Sequence, residues 1–358
     1  MSLPVAARPR PELPTLSEFP SGGTAALLPG HRKFVLLLKS TACCALVNGQ
    51  QMVLYFSRRL LGTVPVLLGV TVLVFLLLKL VPGDPVVALL GEDAQGVSSA
   101  QLDQLRQAYG FNDPWLTQYA RFLSDFVTGQ LLSLKTQTPV LTEILQRFPY
   151  TLQLTVLALG LSVLVALPLG TVAALRRHTL WDTVITSISL LGVSIPSFWF
   201  AILAMTLFAL QLRWLPPSGS GTLAHLVLPA LTLAFGSVAI QIRMMRASLL
   251  DALPQDYVRT ARAKGLPPLH VLRHALRNAL VPVLTVIGLE FGGLLGGAVI
   301  TESIFAWPGL GRLTLDAVTS RDIPLVQGVV VFSAAVFTVV NLVVDMLYGV
   351  LNPRVQYD

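Results

Sequence analysis

Residues 279–300 read ALVPVLTVIGLEFGGLLGGAVI, an apolar run with one charged side chain, Glu290. At about 1.5 Å of rise per residue, a helix of this length crosses a hydrocarbon layer of about 30 Å. No water reaches the backbone inside such a layer, so its polar groups must bond within the segment, which makes it helical. A basic flank, Arg273-His274-Ala275-Leu276-Arg277-Asn278, stands directly before it. The fold class depends on how often this pairing of apolar run and basic flank recurs.

Apolar stretches also cover about Leu60–Val81, Thr151–Leu175, Val184–Leu212, Leu223–Leu249 and Val326–Leu351. With Ala279–Ile300 they make six spans. The composition agrees: the 358 residues are 54% hydrophobic and 12% charged. A soluble domain carries about 25% charged residues, because its surface needs them however large its core. The expected fold is an all-α integral membrane protein with six transmembrane helices.

Orientation follows from the flanks. Arg58 and Arg59, Arg176 and Arg177, the run from Arg243 to Arg277, and Arg354 occupy alternate connections and share one side. Asp84, Glu92, Asp93, Asp103, Asp113, Asp125, Glu143, Asp316 and Asp322 lie on the other. Cytoplasmic loops carry the Lys/Arg excess, so both termini are expected inside and residues 82–149 outside, with an amphipathic stretch at 98–109. The net charge of +7 sits in these loops, so no nucleic-acid partner is expected.

Residues 1–33 are rich in Pro, Ser and Gly without helical periodicity. Residues 34–47 are apolar but too short to span and are interrupted by Lys39. We read 1–51 as a disordered extension, or as lying upstream of a native start at Met52, with the membrane domain over 52–358. Cys43 and Cys44 are adjacent in sequence and lack metal-ligand spacing, so neither has an assigned role.

Enzyme chemistry finds no foothold. No Gly-x-x-x-x-Gly-Lys-Ser/Thr loop is present to cradle a nucleotide. His270 and His274 share a helical spacing but lack an acidic third ligand, so no metal site is expected. Glu290 and Asp345 are ionisable groups within apolar runs, costly and often functional there. Asp345 lies near a span end and can reach water. Glu290 lies deeper, and either pairs with a polar group across helices or lines a path. Gly288, Gly292 and Gly296, with Gly293 and Gly297, repeat at helical spacing and suit close helix packing. Ser194-Ile195-Pro196-Ser197-Phe198-Trp199 interrupts the third span. Proline removes a helical hydrogen bond, so Ser194, Pro196 and Phe198 mark either a passive kink or a break lining a path.

The most informative connection is Asp256-Tyr257-Val258-Arg259-Thr260-Ala261-Arg262-Ala263-Lys264-Gly265-Leu266, followed by the basic flank quoted first. It resembles the cytoplasmic coupling loop of permease subunits of binding-protein-dependent ABC importers, in the dipeptide/oligopeptide branch. The general motif opens Glu-Ala-Ala, with glycine four residues after the second alanine. Arg259, Thr260 and Ala261 stand there, followed by Gly265, a departure typical of the peptide branch. Further similarity runs from Met52 almost to the end. It includes Arg58-Arg59-Leu60-Leu61, Val81-Pro82-Gly83-Asp84-Pro85, Tyr109-Gly110 through Pro114, and Tyr119. It continues with Thr301-Glu302-Ser303-Ile304-Phe305, Trp307-Pro308-Gly309-Leu310-Gly311-Arg312 and Arg321 through Gly328. These resemble the subunit type with a long first external loop. Where that family often has Gly-Asp-x-Gly-x-Ser, this chain has Gly129-Gln130-Leu131-Leu132-Ser133-Leu134.

The resemblance implies a type I importer permease of the bacterial or archaeal cytoplasmic membrane, carrying di- or oligopeptides, or else glutathione or a nickel chelate. It implies a second permease subunit, two cytoplasmic ATPases that bind the ATP and Mg, an extracytoplasmic substrate-binding protein, and surrounding lipid. A loop over 250–278, with Asp256, Tyr257, Arg259, Ala261, Arg262, Lys264 and Gly265, would couple to the ATPases. Ser194, Pro196, Phe198 and Glu290 are candidates for the translocation path. Glu302, Trp307, Pro308 and Arg312 would meet the binding protein. An ion-driven secondary transporter would instead show paired intramembrane carboxylates or inverted repeats. Only Glu290 is deep, and no repeat is visible. A membrane-embedded enzyme would need a clustered nucleophile or metal site.

Overall fold

The protein is described by a computed structural model over residues 61–80, 86–87, 98–108 and 110–351. The expectations for residues 1–51, for Val81–Pro85 and for the Asp345 side chain lie outside the described residues. The helices are α1 (Leu61–Lys79), α2 (Ser99–Ala108), α3 (Trp115–Thr128), α4 (Val140–Leu175), α5 (Leu180–Ser194) and α6 (Ser197–Ala204). They continue with α7 (Leu223–Ala252), α8 (Asp256–Ala263), α9 (Pro268–Ile304), α10 (Leu310–Thr319) and α11 (Ile323–Leu351). Five of them, α1, α4, α7, α9 and α11, are long and apolar enough to cross a membrane. The pair α5–α6 makes a sixth if it crosses as one.

That pair differs from the single interrupted span expected over Val184–Leu212. Its two arms meet at 101°. Pro196 has no N–H to continue the ladder, and Ile195 before it is extended (φ −84°, ψ 123°), as residues before proline tend to be. After the break α6 widens into π-helical turns at Met205–Gln211. Both arms lie against α7. A Cβ added to Gly192 would sit 3.0 Å from Ala239 Cβ, and the Phe200 and Phe235 rings stack with centroids 4.0 Å apart.

The helix α4 begins at Val140 rather than Thr151. Its 36 residues reach about 54 Å, so it overruns a hydrocarbon layer of about 30 Å. Val140 and Ile144 on the overrun bury against Leu310, Leu313, Leu325 and Val329. Along its length Thr155, Ala158, Ser162, Ala166, Gly170 and Ala173 are buried at helical spacing, and α7 is its main neighbour. A Cβ on Gly170 would come within 2.7 Å of Met245 Cβ and 2.9 Å of Ile242 O. Small residues thus let the two backbones approach, and dispersion replaces the hydrophobic effect that lipid cannot supply. The glycines of α9 act alike toward α11. A Cβ on Gly288 would meet Val344, and one on Gly292 would run into the Phe337 ring.

Candidate functional site

At the basic end of the bundle, α8 is a short amphipathic helix lying across α7 and α9. Val258 and Ala261 on one face are buried with Met245, Leu249, Val271 and Ala275. The opposite face carries Asp256, Tyr257, Arg259 and Arg262, all exposed, with Lys264 following. The Arg259–Asp256 pair is long, 3.9 Å, and both side chains are mostly in solvent, so it binds little. Gly265 stops the helix with φ +72°. Its N–H bonds to Arg262 O at 2.9 Å and that of Leu266 to Ala261 O at 3.3 Å, and Pro267-Pro268 then opens α9. Six of the seven residues assigned to the coupling loop therefore share an accessible surface or its stop. Ala261 does not: it faces the core and holds α8 on the bundle.

At the opposite end the residues expected to meet a binding protein divide. Glu302 has no exposed surface and Trp307 only 2%. These two are corrected here, because both are spent inside the fold. The Glu302 carboxylate accepts the Thr151 hydroxyl at 2.7 Å through Oε1, and the N–H groups of Gly311 (2.8 Å) and Arg312 (3.1 Å) through Oε2. The N–H of Leu310 donates to Thr151 Oγ1 at 2.7 Å. Three orphan donors of the first turn of α10 are thereby capped from α4 and α9, and the carboxylate faces the positive end of the helix. Gly309 cannot supply such a cap. A Cβ there would strike the Glu302 carboxylate, and one at Gly311 would lie 2.5 Å from Val299 Cα. Trp307 Nε1–H donates to Tyr150 O at 3.0 Å. Pro308 and Arg312 stay half-exposed, with an Arg312 guanidinium N–H donating to Ala306 O at 3.0 Å.

Within the bundle, Glu290 is tied to a neighbouring helix. Gln241 Nε2 on α7 donates to Glu290 Oε2 at 2.5 Å and to Ser162 Oγ on α4 at 3.0 Å. This is a pairing contact through one oxygen; Glu290 is only partly buried, and its other oxygen, Oε1, has no partner among the described residues. Ser194, Pro196 and Phe198 sit at the α5–α6 bend with their side chains exposed, and are not joined to it by a hydrogen bond.

The inner membrane component of binding-protein-dependent transport systems matches residues 166–357, and the N-terminal part of such components matches residues 52–155. The chain belongs to this family. A glutathione transport system permease of Pectobacterium atrosepticum is 43% identical over 305 residues, covering 85% of this chain and 99% of that protein. A dipeptide transport system permease of Alkalihalophilus pseudofirmus is 38% identical over 336 residues, covering 86% and 100%. The fold is similar to a chain of an inward-facing methionine ABC transporter. The TM-score there is 0.51 at 18% identity, over 60% of this chain and 98% of that one. As a member of this family, the protein is a multi-pass inner-membrane permease subunit of an ABC importer.

The permease carries polar fixtures that no sequence pattern marked. Arg246 on α7 grips Asp182 on α5 with two parallel bonds, Nε to Oδ1 at 2.6 Å and a terminal N–H to Oδ2 at 2.8 Å. The same carboxylate accepts the His178 N–H at 3.1 Å, closing the α4–α5 turn. An arginine within one apolar run and an acid at the start of the preceding run were the available signal. Asp322 is buried at the α10–α11 corner and accepts from Ser133 Oγ (2.5 Å), Lys135 N and Leu325 N. Ser133 thus anchors the segment whose pattern departs from Gly-Asp-x-Gly-x-Ser.

Proposed function

We propose that this permease forms half of the pathway of an ATP-driven importer of di- and oligopeptides, glutathione among them. Both termini are cytoplasmic, and α8 docks on an ATPase subunit. The observation that carries this reading is the construction of α8: one face is anchored in the bundle and the other offers Tyr257, Arg259, Arg262 and Lys264 to a partner. Such a lever transmits movement without deforming the spans. Two ATPases hold ATP and Mg, a second permease subunit completes the path, and an extracytoplasmic binding protein delivers substrate. Closure of the ATPases on ATP moves α8 and exchanges inward-open for outward-open states. The named substrates of the two relatives favour small peptides.

The test is uncoupling. No atom lies within 4 Å of a Cβ built on Gly265, so a side chain there meets only backbone strain. A β-branched residue held at φ +72° costs about 1–2 kcal/mol, enough to redirect the helix stop. Gly265→Val is expected to reach normal membrane levels yet lose peptide uptake and binding-protein-stimulated ATP hydrolysis. Arg262→Glu is expected to weaken ATPase co-purification in a salt-dependent way. If both variants assemble and import like the parent, the coupling role of α8 is wrong.

A further inference from the structure

We propose that a cleft of about 540 Å³, between α1, α3, the 130–137 turn and the α10–α11 corner, holds a short peptide by its two charged ends on the outer face. This rests on the peptide reading above and adds a waypoint outside the spans. The volume lies in the range of small-molecule sites, about 300–1,000 Å³. Phe75, Phe111 and Phe122 give the cleft apolar walls.

Its charges are set out in an unusual way. Among the described residues the Arg321 side chain has no hydrogen-bond or ion-pair partner, and the adjacent Asp322 is already engaged by Ser133, Lys135 N and Leu325 N. The Lys79 ammonium donates to Gln118 Oε1 and lies 5.7 Å from the Phe75 ring centre and 5.8 Å from that of Phe111, with no carboxylate on it among the described residues. Arg121, by contrast, is paired with Asp113 at 2.8 Å. The carboxylate of Asp125 has no partner among the described residues. Gln327 is 6% exposed, lines the cleft, and its amide is likewise unpartnered among them.

The backbone adds an independent argument. Arg321 has φ +53° just past α10, where its N–H bonds to Val318 O and that of Asp322 to Ala317 O. Glycine suits that left-handed stop best. Arg321 occupies that stop at the cleft with no side-chain partner among the described residues. Free cations alone would suit any anion. Charges of both signs that are unpaired among the described residues, beside the Gln327 amide and aromatic walls, suit a zwitterion with a peptide backbone. A binding-protein loop has an extended chain but no free ends.

The test uses the complete importer in nanodiscs, with Cys43→Ala, Cys44→Ala and Gln130→Cys, a cleft-lining exposed position. Millimolar alanyl-phenylalanine is expected to slow maleimide labelling at least threefold. The N-acetylated, C-amidated form should not. Adding Arg321→Gly or Asp125→Asn should abolish protection, and Arg321→Gly should leave thermal stability unchanged or higher. Equal labelling with and without dipeptide, equal protection by the blocked form, or protection surviving both substitutions would overturn the proposal. So would protection by peptide-free binding protein alone. Import by the parent without protection removes the cleft and keeps the transport reading. Protection in a parent that imports no peptide does the reverse.

Discussion

The carboxylate of Glu302 sits on a segment quoted for its resemblance, yet its work is capping. Sequence shows an acid near the end of an apolar run, but not that the first turn of α10 folds back onto it from nine residues downstream. Removing it in Glu302→Ala strands the N–H groups of Gly311 and Arg312, each costing about 1–3 kcal/mol unpaired in a buried site. The variant is expected to lose on the order of 2–5 kcal/mol, read as a lowered melting temperature of the purified complex by fluorescence-detected gel filtration. A variant as stable as the parent would mean that water replaces the carboxylate. Gly265 was legible where Glu302 was not. Its role is local, a helix stop followed by two prolines, and local geometry is written in adjacent residues.

Between elements, the contacts that fix the bundle are long-range and mostly small. The glycines of α9 advertised close packing and provide it at Gly288 and Gly292. The stripe of α4 did not stand out, because Ala, Ser and Thr are common in any apolar run, and only the partner helix makes their register meaningful. The Asp182–Arg246 fork joins residues 64 apart, and no spacing rule connects them. Its worth can be measured by a double-mutant cycle. Asp182→Ala and Arg246→Ala are each expected to destabilise the protein, and the double variant should fall short of their sum by about 1–3 kcal/mol. Arg246→Lys should behave nearly as badly as Arg246→Ala, since an ammonium cannot supply both parallel bonds. Strict additivity in thermal melts would show that the pair is energetically idle. The α5–α6 bend belongs to the same scale. Pro196 announced a break, but its angle is set by how both arms settle on α7.

For the whole molecule, hydropathy located five spanning helices and the bent pair, because lipid leaves few ways to satisfy a backbone. It misjudged their ends, because α4 and α9 run on as helix where they leave lipid for protein contacts, and a hydropathy window cannot see a helix end. Sidedness rests on loop charge alone, since the fold is equally consistent with either orientation. Two positions separate the orientations. Ser99 opens α2 beyond the acidic end of α1, and Arg177 lies in the α4–α5 turn at the basic end; both are exposed. Each becomes a single reactive thiol as Ser99→Cys or Arg177→Cys with Cys43 and Cys44 replaced by alanine. Among the described residues neither side chain makes a hydrogen bond that other elements depend on, so both variants should accumulate and transport normally. In right-side-out spheroplasts an impermeant maleimide is expected to label Ser99→Cys at once, and Arg177→Cys only after lysis. The opposite pattern would invert the protein in the membrane. It would turn α8 away from any cytoplasmic ATPase, and carry the peptide cleft to the wrong side with it.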